Sequence, residues 1–309
     1  MNTDYEEMVV SLGRPKDWTN AKLWKKWLDN IASALEDNLW PSFNQKTLMW
    51  KGKATPTAVA LTTEEIAFMS DFHKRLDTFV AGQSTSGFIK HRTLFAHEDE
   101  KIGDKLEIYN FESSKFFDQY RGDRSRNEWF DAAIERNAMA PVLDLKTRFQ
   151  RPRPYQCSVL LKLTKFKQEF SHSFITPSLP SGHCFQAIMG LLELYMRLKH
   201  ASASNKGLIG SPSSIMVDLA VYAAHIGDRR VMAGLHYPTD NMASWYFAYE
   251  LAKKLRIDDF PASAEAEEFV KCSVKKSLVY ADLALPTTAK NFPILSARFV
   301  WVKKQLGLP

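Results

Sequence analysis

Three short segments of this chain hold residue types that could act on a tetrahedral anion. The first is Lys146-x6-Arg153-Pro154, within KTRFQRPRP. Lys146 and Arg153 lie seven residues apart, two helical turns, so a continuous helix would project both cations from one face. Pro152 and Pro154 would end or distort that helix near the arginine. Arg151-Pro152 offers a second register, and the segment alone also reads as an exposed basic helix end, where cations favour the helix dipole. The second segment is Pro180-Ser181-Gly182-His183, just before an apolar helix starting near Cys184. Unpaired N–H groups at a helix N-terminus attract anions. Ser181 can cap the helix and offer its hydroxyl, and Gly182 lets an oxyanion approach the backbone. An ordinary helix start with a surface histidine fits this segment equally well. The third is Arg230-x5-His236-x3-Asp240. An aspartate at that spacing can take the proton of one imidazole nitrogen and leave the other free as a nucleophile. Pro238 between them would put the pair at a helix start, and a turn through Gly234 could return Arg230 to the same pocket. An incidental His–Asp surface pair is the competing reading.

The elements that must position these residues read as helical. Residues 20–40 align Leu23, Trp24, Trp27, Leu28, Ile31 and Leu35 on one stripe. Residues 63–80 do the same with Phe68, Met69, Phe72, Leu76, Phe79 and Val80, and Thr62 with Glu65 has the spacing of a capping box. The aromatic stripes, Trp24, Trp27, Phe68, Phe72 and Phe79 among them, read as core. Further helices are expected over 127–139, from Pro141 as first residue to Phe149, and over 183–199, 214–234, 239–256, 263–283 and 294–306. Residues 84–125 give no clear pattern, 200–213 read as an exposed Gly/Ser/Pro connection, and no strand-and-hairpin pattern is convincing. The organisation expected is all-α: an N-terminal helical extension, 1–125, packed on a catalytic helical core, 126–309, as one compact unit.

Composition narrows the function classes. Apolar residues make up 45% and charged residues 25%, as in globular proteins. Lys plus Arg is 41 against 35 for Asp plus Glu, a net charge of +6 that suits anionic small molecules. No dense basic block suggests nucleic acid. Cys157, Cys184 and Cys272 form neither a disulfide framework nor a metal-site pattern. No apolar run is long enough for a membrane span. The N-terminus lacks the features of a signal peptide, so a cytoplasmic location is expected. Oligomeric state is left open, a homo-oligomer included.

Taken together and in this order, the three segments resemble the signature of the type-2 phosphatidic acid phosphatase and vanadium haloperoxidase superfamily: Lys-x6-Arg-Pro, Pro-Ser-Gly-His, then Ser-Arg-x5-His-x3-Asp. The likeness covers roughly residues 140–255, and Arg229 stands where the family pattern has serine. The resemblance implies a helical bundle of that family's type. It implies that Lys146, Arg153 and Arg230 neutralise phosphoryl oxygens, with Ser181 and the Gly182 N–H completing the cradle. His236 would attack phosphorus to give a phosphohistidine, Asp240 would orient it, and His183 would serve as acid and then base. The activity implied is a phosphate monoesterase without a cofactor, with a bell-shaped pH profile. In the haloperoxidase branch the same pocket holds vanadate, with His236 as its ligand. A third reading keeps the pocket for phosphate binding alone. Outside the signature, His225 and Asp228 could support the site, though a buried, satisfied role suits His225 better, and His172 could line its entrance.

Overall fold

Among the described residues the helical periodicity is realised almost throughout. The computed structural model describes residues 21–40, 43–44, 49–50, 55–82, 139–163, 176–204, 212–253 and 263–309. In chain order its helices are α1 (Ala21–Asn38), α2 (Thr55–Gly82), α3 (Met139–Phe149), α4 (Pro154–Leu160), α5 (Gly182–Ser204) and α6 (Pro212–Met232), then α7 (Pro238–Ala252), α8 (Ser263–Lys276), α9 (Leu278–Leu283), α10 (Pro286–Asn291) and α11 (Pro293–Leu306). Among the described residues the only strand pairing is a two-residue antiparallel contact, Phe43–Asn44 with Met49–Trp50. The fold is all-α, as expected from the sequence.

The layers follow from which helices lack a polar face. α7 has no amphipathic stripe, and every residue from Pro238 to Ala252 except Glu250 is buried. A helix apolar all round must sit inside the bundle. α5, α6, α8 and α11 surround it: α5 packs on α6 and α7, α6 on α8, and α7 on both α8 and α11. Phe185 of α5 stacks on Phe247 of α7 with ring centroids 4.5 Å apart, and Trp27 of α1 lies 5.7 Å from the same ring. α2 rests on α11, α6 and α4, so the N-terminal helix contacts the elements that carry the signature. Leu28, Ile31, Leu35, Phe68, Met69 and Phe72 are buried as their stripes require, and Trp27 is half-buried against the same core.

Several expectations are corrected. Thr62 does not begin a helix: α2 starts at Thr55, and the Thr62 hydroxyl donates to the Ala58 carbonyl at 2.8 Å within it. Residues 263–283 are two helices, not one. The break is at Ser277, whose hydroxyl accepts from Tyr280 N at 3.1 Å. Buried Asp228 holds the same junction, accepting from the Ser277 hydroxyl at 2.5 Å and from Leu278 N at 2.7 Å. Asp228 is thus a helix cap, and burial pushes its carboxyl up to about 6. α5 runs on to Ser204, into the stretch expected to be a loop. α4 and α10 were not foreseen; each has a proline in its first turn, where the absent N–H costs nothing. Residues 84–125, His172 and all but the last residue of the helix expected over 127–139 lie outside the described residues.

Candidate active site

The first segment does not form one helix. α3 ends at Phe149, Gln150 takes a left-handed φ of 49°, and the chain continues extended through Arg153 into α4, which Pro154 opens. Lys146 and Arg153 therefore share no helical face, contrary to the spacing argument. They meet because the extended stretch runs beside residues 176–181: Ser178 N donates to the Arg151 carbonyl at 2.9 Å. In a regular strand residues two apart would share a face; here Arg151 and Arg153 diverge, so the Arg151–Pro152–Arg153 stretch is not regular strand.

Arg153 faces His236. Its guanidinium donates to the Leu235 carbonyl at 2.8 Å, to Thr176 O at 2.9 Å, and approaches His236 Nε2 at 2.9 Å. Arg151 turns the other way, into the core. It lies between the rings of Trp40 and Tyr237, 4.0 and 3.8 Å from their centroids. It donates to Asp240 Oδ1 at 2.8 Å, to the Thr239 hydroxyl at 2.6 Å, and to Glu65 Oε2. Structure thus selects Arg153 for the pocket and Arg151 for its support. Lys146 Nζ, buried, donates to the Pro177 carbonyl.

The second segment opens α5. The Ser181 carbonyl accepts from Phe185 N at 3.1 Å, which places Ser181 at the cap and Gly182, His183 and Cys184 in the first turn. Helix N–H groups at these positions have no carbonyl four residues earlier within the helix. Ser181 N donates to Asp240 O at 3.2 Å, and the Ser244 hydroxyl lies 2.8 Å from Ser181 O, so α5 begins against the start of α7. The Ser181 hydroxyl and His183 Nε2 are buried with no hydrogen-bond partner among the described residues. Buried polar atoms are almost always satisfied, so this pair is the mark of a site for a polar ligand.

The third segment is a helix end, a turn and a helix start. Arg230 lies buried in the last turn of α6; Gly234 then takes a φ of 74°, a conformation that suits glycine. Leu235 N donates back to Arg230 O at 3.0 Å, bringing His236 beside the arginine. Pro238 begins α7, and Asp240, on its first turn, reaches back. Asp240 Oδ2 accepts from Tyr237 N at 2.9 Å and sits 3.2 Å from His236 Nδ1. A guanidinium can only donate. Nε2 of His236, facing Arg153, is therefore the acceptor, and Nδ1 carries the proton toward Asp240.

Electrostatics show one shared pocket. Burial pushes His183 well below its ordinary value, and Arg230, His236, Arg153 and Lys146 add to the effect. Burial does the same to His236, followed by Arg153, Lys146 and Arg230, with a backbone contact at Ser178 opposing. Lys146 is held well below its usual range by burial, then by Arg153 and Arg230, with Asp240 opposing. Arg153 is lowered to about 10 by burial, with Asp240 opposing. Burial and the crowding of three basic side chains thus favour the neutral form of both imidazoles, with Asp240 as the carboxylate that opposes the crowding at Lys146 and Arg153. The expected bell-shaped profile needs a proton already on His183; in this pocket, three basic neighbours disfavour it until negative charge arrives.

The residues expected from the sequence (Lys146, Arg153, Ser181, Gly182, His183, Arg230, His236 and Asp240) come together. Glu65 and Thr239 were not foreseen as site neighbours. Glu65 Oε1 accepts from Thr239 N at 3.0 Å and from its hydroxyl at 2.5 Å. The available signal was the doubled arginine of RPRP: a second, inward arginine needs a buried carboxylate. His225 stays half-buried, lowered by burial and by Arg229.

No helix among the described residues is long and apolar enough to cross a membrane. No curated protein and no solved structure matches the chain. The family profile of the PAP2 superfamily does, over residues 133–255, a stretch that contains every member of the pocket from Lys146 to Asp240. Over that segment the chain is similar to the PAP2 superfamily.

Proposed function

We propose that this protein hydrolyses phosphate monoesters without a metal ion, through a phosphohistidine on His236. The observation that carries the reading is the convergence of Lys146, Arg153 and Arg230 on two neutral imidazoles, next to an unsatisfied Ser181 hydroxyl. Three basic side chains supply the charge stabilisation for which other phosphoryl-transfer sites use Mg²⁺. A phosphoryl dianion draws the Arg153 guanidinium from Nε2 of His236 onto its own oxygens. That frees the lone pair which Asp240, by holding the proton on Nδ1, has kept on Nε2. The Nε2–P bond forms as the P–O bond to the leaving group breaks. His183, whose protonation the arriving dianion favours by offsetting its cationic neighbours, gives its proton to the departing oxygen. Water then attacks phosphorus, His183 takes the water's proton, and the N–P bond breaks to release phosphate.

The test is hydrolysis of p-nitrophenyl phosphate by the full chain in a chelator, with acid-labile, base-stable phosphate sought on His236 after rapid quenching. Expected are turnover that survives chelation and competitive inhibition by orthovanadate, a tetrahedral anion that can become trigonal bipyramidal. The same donors fit vanadate as a resident group, held at His236, where it would activate peroxide toward halide. Bromide oxidation after vanadate loading, with no ester hydrolysis beforehand, would overturn the proposal. Tight phosphate binding with no turnover of any ester would overturn it in favour of a binding protein.

A further inference from the structure

We propose that Glu65, on α2 and outside the matched segment, is a positioning residue for His236, acting through Arg151 and Asp240. This rests on His236 being the nucleophile. Asp240 has two oxygens with separate duties: Oδ2 faces His236 Nδ1 and Tyr237 N, and Oδ1 accepts from Arg151. The side chains of Glu65, Arg151 and Asp240 are all 0% exposed, so water screens none of these interactions. One buried cation is therefore shared between two buried carboxylates. Burial works against the charge on Arg151, and Glu65 and Asp240 outweigh it. Glu65 is the partner that limits how strongly Arg151 draws on Asp240. Without its charge the guanidinium would pair with Asp240 alone, and the aspartate would polarise the imidazole less.

Glu65 also fixes geometry. Its Oε1 takes both the N–H and the hydroxyl of Thr239, the residue directly before Asp240 on the first turn of α7. The aromatic rings of Trp40 and Tyr237 prevent Arg151 from tilting away. The carboxylate of α2 thus holds both the arginine and the backbone turn that aim Asp240. The side chains of Lys146 and Arg153 donate hydrogen bonds to Pro177, Ser178, Thr176 and Leu235. Its influence should reach the chemical step and leave anion binding alone.

The experiment compares Glu65→Gln with Glu64→Gln in the full chain. Glu64 is the adjacent carboxylate, and it caps α11 through Ile294 N and Leu295 N at 2.9 Å. Glu65→Gln should lower kcat for p-nitrophenyl phosphate by about 10- to 100-fold, the usual effect of removing a group that orients a histidine from behind. KM and the inhibition constant of orthovanadate should stay within about twofold of wild type. Glu64→Gln should lower the melting temperature and leave kcat unchanged. A readout independent of turnover is the ¹⁵N spectrum of the His236 imidazole: nearly pure Nδ1–H in wild type, a mixture of tautomers in Glu65→Gln. Should Glu65→Gln fail to fold, Glu65→Asp keeps the charge but withdraws it, and a lowered kcat at constant KM carries the same meaning. The proposal is overturned by a folded Glu65 variant with wild-type kcat and an unmixed tautomer, or by a loss that appears in KM instead. A wild-type chain that hydrolyses no ester would sink the phosphatase reading, while the imidazole spectrum would still decide the positioning role.

Discussion

Replacing Asp240 by asparagine would set three buried donors against one acceptor. In the native chain Arg151 requires an acceptor at Oδ1, and Tyr237 N and His236 Nδ1 require one at Oδ2. An amide has a single oxygen. Turned toward Arg151, it satisfies the buried charge and presents its NH₂ to His236 and Tyr237 N. The imidazole then moves its proton to Nε2 to accept from the amide, and the nucleophilic lone pair is lost. A comparable change in a serine-protease triad lowers kcat by about 10⁴-fold, and the same order is expected here. The stability cost is that of a weakened buried pair and an unsatisfied N–H. Breaking a buried pair outright costs about 3–5 kcal/mol; Arg151 keeps Glu65 and Thr239, so the lower end applies. That loss is survivable for a domain stable by about 5–15 kcal/mol. Asp240 opposes the depression of both Lys146 and Arg153. Its neutralisation makes the pocket more positive, and phosphate should bind as tightly or slightly more tightly. The assays are steady-state kinetics with p-nitrophenyl phosphate, phosphate affinity by calorimetry, and a thermal melt. A folded Asp240→Asn chain that keeps more than a tenth of wild-type kcat would refute the tautomer argument. So would a loss of phosphate affinity parallel to the loss of rate.

Three other outcomes follow from the same geometry. His236→Ala should retain the melting transition and phosphate binding while hydrolysis falls by about 10⁴-fold or more, checked by the same kinetics; near-full activity would remove the nucleophile assignment. Lowering the pH from 7 to 6 should lower the melting temperature. The folded chain holds His183 and His236 below the unfolded value, so the unfolded chain takes up these protons first, and stability present above that value is lost below it, by up to about 1.4 kcal/mol per pH unit per imidazole. Added phosphate should restore much of it, since anion binding favours the folded state. Gly227→Ala would put a methyl 2.8 Å from Cys184 Sγ, directly after His183 in the chain. It should destabilise by about 1–3 kcal/mol, and Cys184→Ala in the same chain should recover most of that in a double-mutant melt.

The pocket was legible because its chemistry is concentrated in short segments whose order is informative. Ser181, Gly182 and His183 had to sit where a helix begins, and Pro238 announced that Asp240 would lie on a first turn. The path of the chain between Lys146 and Arg153 was not legible. A seven-residue interval looks helical, and only the backbone reversal at Gln150 shows that the two cations meet across an extended stretch. Glu65 was misread for a related reason. Thr62 and Glu65 have the spacing of a cap, yet the apolar run TPTAVALTT extends the helix upstream and leaves both inside it. The partner of Glu65 lies 86 residues away, at Arg151, beyond the reach of any local pattern. The break at Ser277 was hidden similarly, since its stabilising partner, Asp228, belongs to another helix.

The sandwiching of Arg151 between two rings bears on how this protein can be cut. A recombinant fragment beginning at residue 133 would retain the entire matched segment, Tyr237 and Asp240 included, but would lack Trp40 and Glu65. Its guanidinium would be left with one ring, one counter-ion and an opening for solvent on the side where α2 had been. Such a truncation would expose the back wall of the reaction centre while every signature residue remained in place.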